Sequence, residues 1–168
     1  MRYTPAAAAL SLLLAVTASV SYSAPPSALS PRATALVSEG RAQLGRGNAD
    51  AALDAFEAAL AVQPGSAPIL LALGDAARAQ GMQGKALGFY RRALEAEPNN
   101  LMALAGEGAA LAEKGAIERA RRTLVRLQGL CGDDCAATRQ LAAAIAKGPA
   151  LRMVSAEAIK PEPVVSEN

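Results

Sequence analysis

Histidine and tryptophan are both absent from this chain of 168 residues, and aromatics of every kind make up only 3% of it. The lack of histidine removes the commonest general base, the usual metal ligand and the physiological pH switch together. The scarcity of aromatics, beside an apolar content of 52% carried largely by alanine, means that any core must come from close helix approaches. A strong charge imbalance is lacking too: 17 basic residues face 15 acidic ones, for a net charge of +2. That balance excludes a protein that tracks nucleic-acid phosphates by a basic excess. Arg119, Arg121, Arg122 and Arg126 form a local basic cluster, but on a helix they spread over more than one face beside Glu118 and read as solvated surface.

What is present begins with an apolar leader. Arg2 precedes the uncharged stretch Ala6–Val20, and Ser21-Tyr22-Ser23 offers small residues at the positions a signal peptidase inspects. Residues 1–23 are therefore expected to be a cleaved signal peptide. The apolar run is shorter than the ~20 residues of a spanning helix, so no membrane insertion is expected once the signal is removed. No cysteine lies near the cut to take a lipid. Residues 24–32, with three prolines and serines, read as a flexible lead-in, and residues 148–168, with Pro149, Pro161 and Pro163, as a disordered tail.

Between these segments the sequence repeats itself every 34 residues. Pro64 and Pro98 keep that step, as do the columns Gly40, Gly74, Gly108; Gly47, Gly81, Gly115; Ala52, Ala86, Ala120; and Leu36, Leu70, Leu104. Phe56, Tyr90 and Leu124 form a bulky column, followed by Ala59, Ala93 and Leu127. Apolar spacing within each unit predicts two helices, over 33–45 and 49–62, 67–80 and 83–96, then 101–114 and 117–130. Gly47, Gly81 and Gly115 fall in the turns, where glycine takes the left-handed conformation that ends a helix. Gly40, Gly74 and Gly108 fall inside helices, at a cost of about 1 kcal/mol each relative to alanine. The simplest reason is that a side chain there would hold paired helices apart.

These columns make the chain resemble a tetratricopeptide repeat protein, of a small exported bacterial type. In the second unit the family positions are filled by Gly74, Gly81, Ala86, Tyr90, Ala93 and Pro98. The outer units depart from the pattern: Glu39 and Glu107 stand where leucine is usual, Gln43 replaces an aromatic, and Gly132 replaces the proline. The resemblance implies an all-α fold, a right-handed superhelical array over 33–147 with units 33–66, 67–100 and 101–134. A last helix, expected within 135–147, carries Leu141, Ala144 and Ile145 on one side and would cap the third unit.

Catalytic constellations do not emerge. Ser38 has no histidine to activate it, and Gly45-Arg46-Gly47 has no strand ahead of it to make a phosphate loop. Asp133 and Asp134 read as N-caps of the last helix. Cys131 and Cys135 are expected to form a structural disulfide that pins this helix. A thiol redox site is the sharper alternative, since Cys135 would lie near a helix N-terminus. Its C-x-x-x-C spacing lacks the usual two-residue gap, and two thiolates fall short of a zinc site. Neither an enzyme nor a metal or cofactor site is expected.

The resemblance implies instead a protein or peptide partner, held in a concave groove lined by the first helix of each unit. Its inward positions correspond to Thr34, Val37, Arg41 and Leu44; Pro68, Leu71, Asp75 and Arg78; and Met102, Ala105, Ala109 and Ala112. Arg41, Leu71, Asp75, Arg78, Met102 and Ala105 are the leading candidates for partner contact. Val37, Leu71 and Ala105 occupy the fifth positions, where members that clamp a C-terminal carboxylate carry lysine or asparagine, so that role is not expected. The function expected is a periplasmic or secreted adaptor; a structural or assembly subunit of an envelope machine is the alternative. Mass spectrometry of exported material is expected to show a chain beginning near Ala24, and an intact Met1 in the membrane fraction would contradict this.

Overall fold

The computed structural model describes residues 28–149. The expected signal peptide, the start of the expected lead-in and the tail beyond Pro149 lie outside the described residues. Among the described residues seven helices follow one another: α1 (Pro31–Gly45), α2 (Ala49–Val62), α3 (Ala67–Ala79), α4 (Gln83–Ala96), α5 (Leu101–Glu113), α6 (Ile117–Cys131) and α7 (Ala136–Lys147). Among the described residues there is no strand, and no helix is long and apolar enough to cross a membrane.

The helix starts and stops have local causes. Ser30 caps α1, its Oγ accepting from the Ala33 amide at 3.2 Å, and Asn100 caps α5, its Oδ1 accepting from the Ala103 amide at 3.0 Å. With Pro31 in its first turn, where proline is pre-set for helix, α1 begins two residues before the expected unit boundary. Inside each unit the helix ends identically. Gly47, Gly81 and Gly115 all take positive φ, and their amides donate to Leu44, Arg78 and Ala112 carbonyls at 2.9 Å. The next amide in each turn reaches back to Gln43, Ala77 or Leu111, completing a two-bond helix stop three times over.

Helices pack pairwise as α1 with α2, α3 with α4, and α5 with α6, and each pair leans on the next through α2–α3 and α4–α5 contacts. α7 touches α5 and α6 just as α5 touches α3 and α4, so it occupies the place of the first helix of a fourth unit. Alanine fills most of the interior, with Phe56, Tyr90, Ile69, Leu70, Leu73, Leu104, Leu127 and Leu141 as its large buried side chains.

The glycine column has the expected cause, with one exception of partner. A Cβ on Gly40 would fall 2.3 Å from the Phe56 ring, and one on Gly74 2.5 Å from the Tyr90 ring, both within their own helical pair. Gly108 instead meets Leu141 of α7, at 2.6 Å, and not the side chain of its own α6. The third unit carries Leu124 in place of the aromatic, and the cap supplies the missing bulk.

Cys131 and Cys135 are joined as a disulfide, with Cα atoms 5.8 Å apart, between the end of α6 and the N-cap of α7. Closing so short a loop contributes roughly 2 kcal/mol on chain-entropy grounds. Thr138, buried beside both sulfurs, donates from Oγ1 to the Gly132 carbonyl at 2.9 Å and ties the same turn from within. Asp133 and Asp134 do not cap α7. Cys135 holds the N-cap position, while the Asp133 carboxylate accepts from Gln128 at 2.8 Å.

Two glycine classes predict opposite outcomes on substitution. Gly74→Ala is expected to lower stability by about 1–3 kcal/mol, because Tyr90 must move and the overpacking outweighs the propensity gain. Gly88→Ala, in α4 where an added Cβ meets nothing, is expected to raise stability by up to about 1 kcal/mol. Thermal unfolding of the two variants checks the signs.

Candidate functional site

Of the groove candidates, Asp75 and Arg78 from α3 and Met102 from α5 line one cleft of about 320 Å³. Ala79, Gly106, Glu113 and Gln140 complete it, the last supplied by α7. Leu71 is half-buried against the cluster of Ala67, Leu70, Ala93 and Ala103 and is not among the residues that line the cleft. Arg41 is exposed on α1, and only its charge reaches the site.

Ala105 does not line a groove. It is 0% exposed and packs with Leu127, Ala137 and Leu141, and Ala109 and Ala112 are equally covered. The cause is α7, which packs along α5 and covers Ala105 with Ala137 and Leu141. Val37, at 2% exposure, is likewise core, packed with Ala33, Phe56 and Ile69. Both positions lie where the first helix of the following unit, or its stand-in, packs: α3 on Val37 and α7 on Ala105.

The cleft's polar groups are tied down in two pairs. Tyr90, fully buried, donates its hydroxyl to Asp75 Oδ1 at 2.7 Å. Arg78 Nε donates to both oxygens of Glu113, at 3.0 and 3.2 Å, which bridges the second and third units. Asp75 and Arg78, three apart on one helix, could have paired with each other, but each takes a partner from another helix. Gln83 donates to the same Glu113 carboxylate at 3.4 Å. In the sequence Tyr90 stands out as a member of a bulky repeat column, and Glu113 and Gln140 carry no signal. Asp75 and Tyr90 are fifteen apart, a separation with no meaning until the helical pair is folded.

Electrostatics follow from this geometry. Asp75 is exposed as a residue, yet its carboxyl is drawn down onto the Tyr90 hydroxyl. Loss of water there raises its pKa above the ordinary 3.8, against the opposing pull of the Tyr90 hydrogen bond and the Arg78 and Arg41 charges. Burial, with the Asp75 charge beside it, pushes the Tyr90 phenol far above its ordinary value, so it remains a donor. Among the described residues no three Cys, Asp or Glu side chains gather as a metal site.

The comparisons with known proteins agree on the architecture. The Tetratricopeptide repeat family model matches residues 37–100, the first two units nearly entire. Residues 37–100 carry the tetratricopeptide repeat pattern, and the described helices take the tetratricopeptide fold. The tetratricopeptide domain of Sgt2 from Aspergillus fumigatus superposes with a TM-score of 0.63 at 23% identity, covering 84% of this chain and 91% of its own. The TPR2B domain of yeast Sti1, solved as a pHsp70 complex, gives 0.64 at 18% identity, with 70% and 96% covered. The first TPR of Spaghetti (RPAP3), bound to the HSP90 peptide SRMEEVD, gives 0.61 at 20% identity, with 71% and 99% covered. At such identities the likeness is one of fold. No curated protein sequence matches.

The raised Asp75 pKa has a measurable consequence. The folded array holds this proton more tightly than the unfolded chain does. The residue's contribution thus favours folding below 3.8 and is lost as pH rises through the raised folded value. Asp75→Asn is expected to flatten the dependence of stability on pH in the window just above 3.8, as read by urea unfolding at a series of pH values.

Proposed function

We propose that this tetratricopeptide array is an extracytoplasmic adaptor that holds a peptide or helix of a partner protein in its concave cleft. The observation that carries the reading is the Asp75–Arg78–Met102 cleft. Its charged groups are already fixed by Tyr90 and Glu113, while Met102 is left 49% exposed among them. Polar groups held in place lose little freedom on binding, and an exposed methionine adapts its shape to an apolar anchor. The likeness to domains solved with bound Hsp70 and HSP90 peptides supports a peptide as the class of ligand. Export rests on the sequence of residues 1–23. The reading is one of binding, not catalysis.

A second reading, a permanent subunit of an envelope assembly, is favoured by α6. There Val125 is 67% exposed and Leu130 41%, outside the cleft. The two separate by concentration dependence, since a permanent subunit does not stay monomeric alone.

The test places a photo-crosslinking residue at Met102, or at Ala58 on the exposed side of α2, in cells that express the full chain. A discrete adduct is expected at Met102 and not at Ala58. Arg78→Glu is expected to weaken that adduct's affinity by about 1–2 kcal/mol, the loss of a hydrogen bond made by a charged group. An adduct at Ala58 that survives Arg78→Glu, with none at Met102, would mean that the concave cleft is not the working surface.

A further inference from the structure

Three of the four clustered arginines share one stripe. Arg119, Arg122 and Arg126 stand at i, i+3 and i+7 along α6, while Arg121 lies apart and pairs with Glu118 at 3.0 Å. The stripe borders a groove between α4 and α6, on the side of the array away from the concave cleft. Its floor is α5. Two hollows of about 250 and 440 Å³ make up the groove, and they share Leu111 and Arg119.

The charge of this groove is one-sided. Arg91 of α4, Lys114 of the α5–α6 turn and the three stripe arginines face it, against a single carboxylate, Glu107. Glu107 is already taken by Arg91, whose Nε lies 3.2 Å from its Oε1. Arg126 reaches over to the Pro98 carbonyl at 2.6 Å and to Asn99, closing one end of the groove. Arg119, Arg122 and Lys114 make no ion pair among the described residues. Below them the floor is apolar, built from Leu87, Leu104 and Leu111. The helical rise from the α5–α6 turn to Arg126 is about 15 Å, the span of some five residues of extended chain.

We propose that the α4–α6 groove is a second docking site, which takes an acidic extended segment of a partner protein. Carboxylates spaced along such a segment match the planar forks of Arg119 and Arg122, and small apolar side chains between them meet the leucine floor. An anionic lipid surface matches the charge but not the shape. The cations are exposed along the rim, whereas the leucine floor lies below the reach of a flat bilayer. The site lies on the opposite side of the array from the concave cleft, so it stands whether or not that cleft binds a peptide.

The test uses the full chain and a fluorescein-labelled peptide of alternating glutamate and leucine, with a glutamine–leucine peptide as its neutral match. Fluorescence anisotropy is expected to show binding of the acidic peptide only, weakened by added salt. Arg119→Glu/Arg122→Glu is expected to reduce affinity about tenfold or more, through lost ion pairs and new repulsion. Arg32→Glu/Arg46→Glu, with the same change in net charge, is expected to leave it unaltered. Circular dichroism verifies folding, and Arg119→Gln/Arg122→Gln replaces the first variant should it not fold. Equal loss in both charge-reversed variants would reduce the effect to net-charge attraction and overturn the site. Equal binding of the two peptides, or capture of the protein by phosphatidylglycerol vesicles without binding of the acidic peptide, would overturn it as well.

Discussion

The Tyr90 ring sits between two helices that can approach it only because they carry glycine. Gly74 of α3 and Gly106 of α5 lie against the same edge of the ring, Cδ1, Cε1 and Cζ, each so close that a methyl group would fall 2.5 Å from Cε1. Two units therefore close on one side chain. The same side chain sets the cleft, because its hydroxyl draws the Asp75 carboxyl down to the concave wall. A fully buried aromatic of this size stabilises by about 1.5–3 kcal/mol through its apolar surface alone. In a chain so short of aromatics, that contribution falls at a single joint. The spacing of α3 and α5, and with it the width of the cleft between Arg78 and Met102, depends on this contact.

The architecture was legible because it is written three times. Glycines 34 residues apart recur as turns and as close approaches, and each reading has a local cause that needs no knowledge of the rest of the chain. Gly81 ends its helix through hydrogen bonds within five residues, so its role could be read from position alone. The cleft was legible only in part. Asp75, Arg78 and Met102 could be placed on inward positions, but their partners Tyr90 and Glu113 come from other helices, where sequence spacing carries no signal. Ala105 was misplaced for a related reason. Whether an inward alanine faces solvent depends on where the last helix comes to rest, and α7 lies on it.

The basic cluster shows the same limit from another side. Four arginines within eight residues read as scattered until helix packing picks out one stripe and sets it beside α4. Glu107 is a further instance. It breaks the repeat pattern where leucine is usual, and the array accommodates it by pairing it with Arg91 at the edge of the groove. Glu39, the matching exception in the first unit, accepts from Gln43 on its own helix, and among the described residues no earlier helical pair lies against it.

α7 stands where a fourth unit would begin, and its residues Arg139, Ala142 and Ala143 are exposed. Solenoids can in principle elongate by stacking copies end to end, each new copy seated on the open flank of the last. Here that flank is taken by a helix bonded covalently to the one before it, through Cys131 and Cys135. The bond fixes how α7 enters its seat on α5 and α6, so the lid over Ala105 is anchored covalently at its first turn.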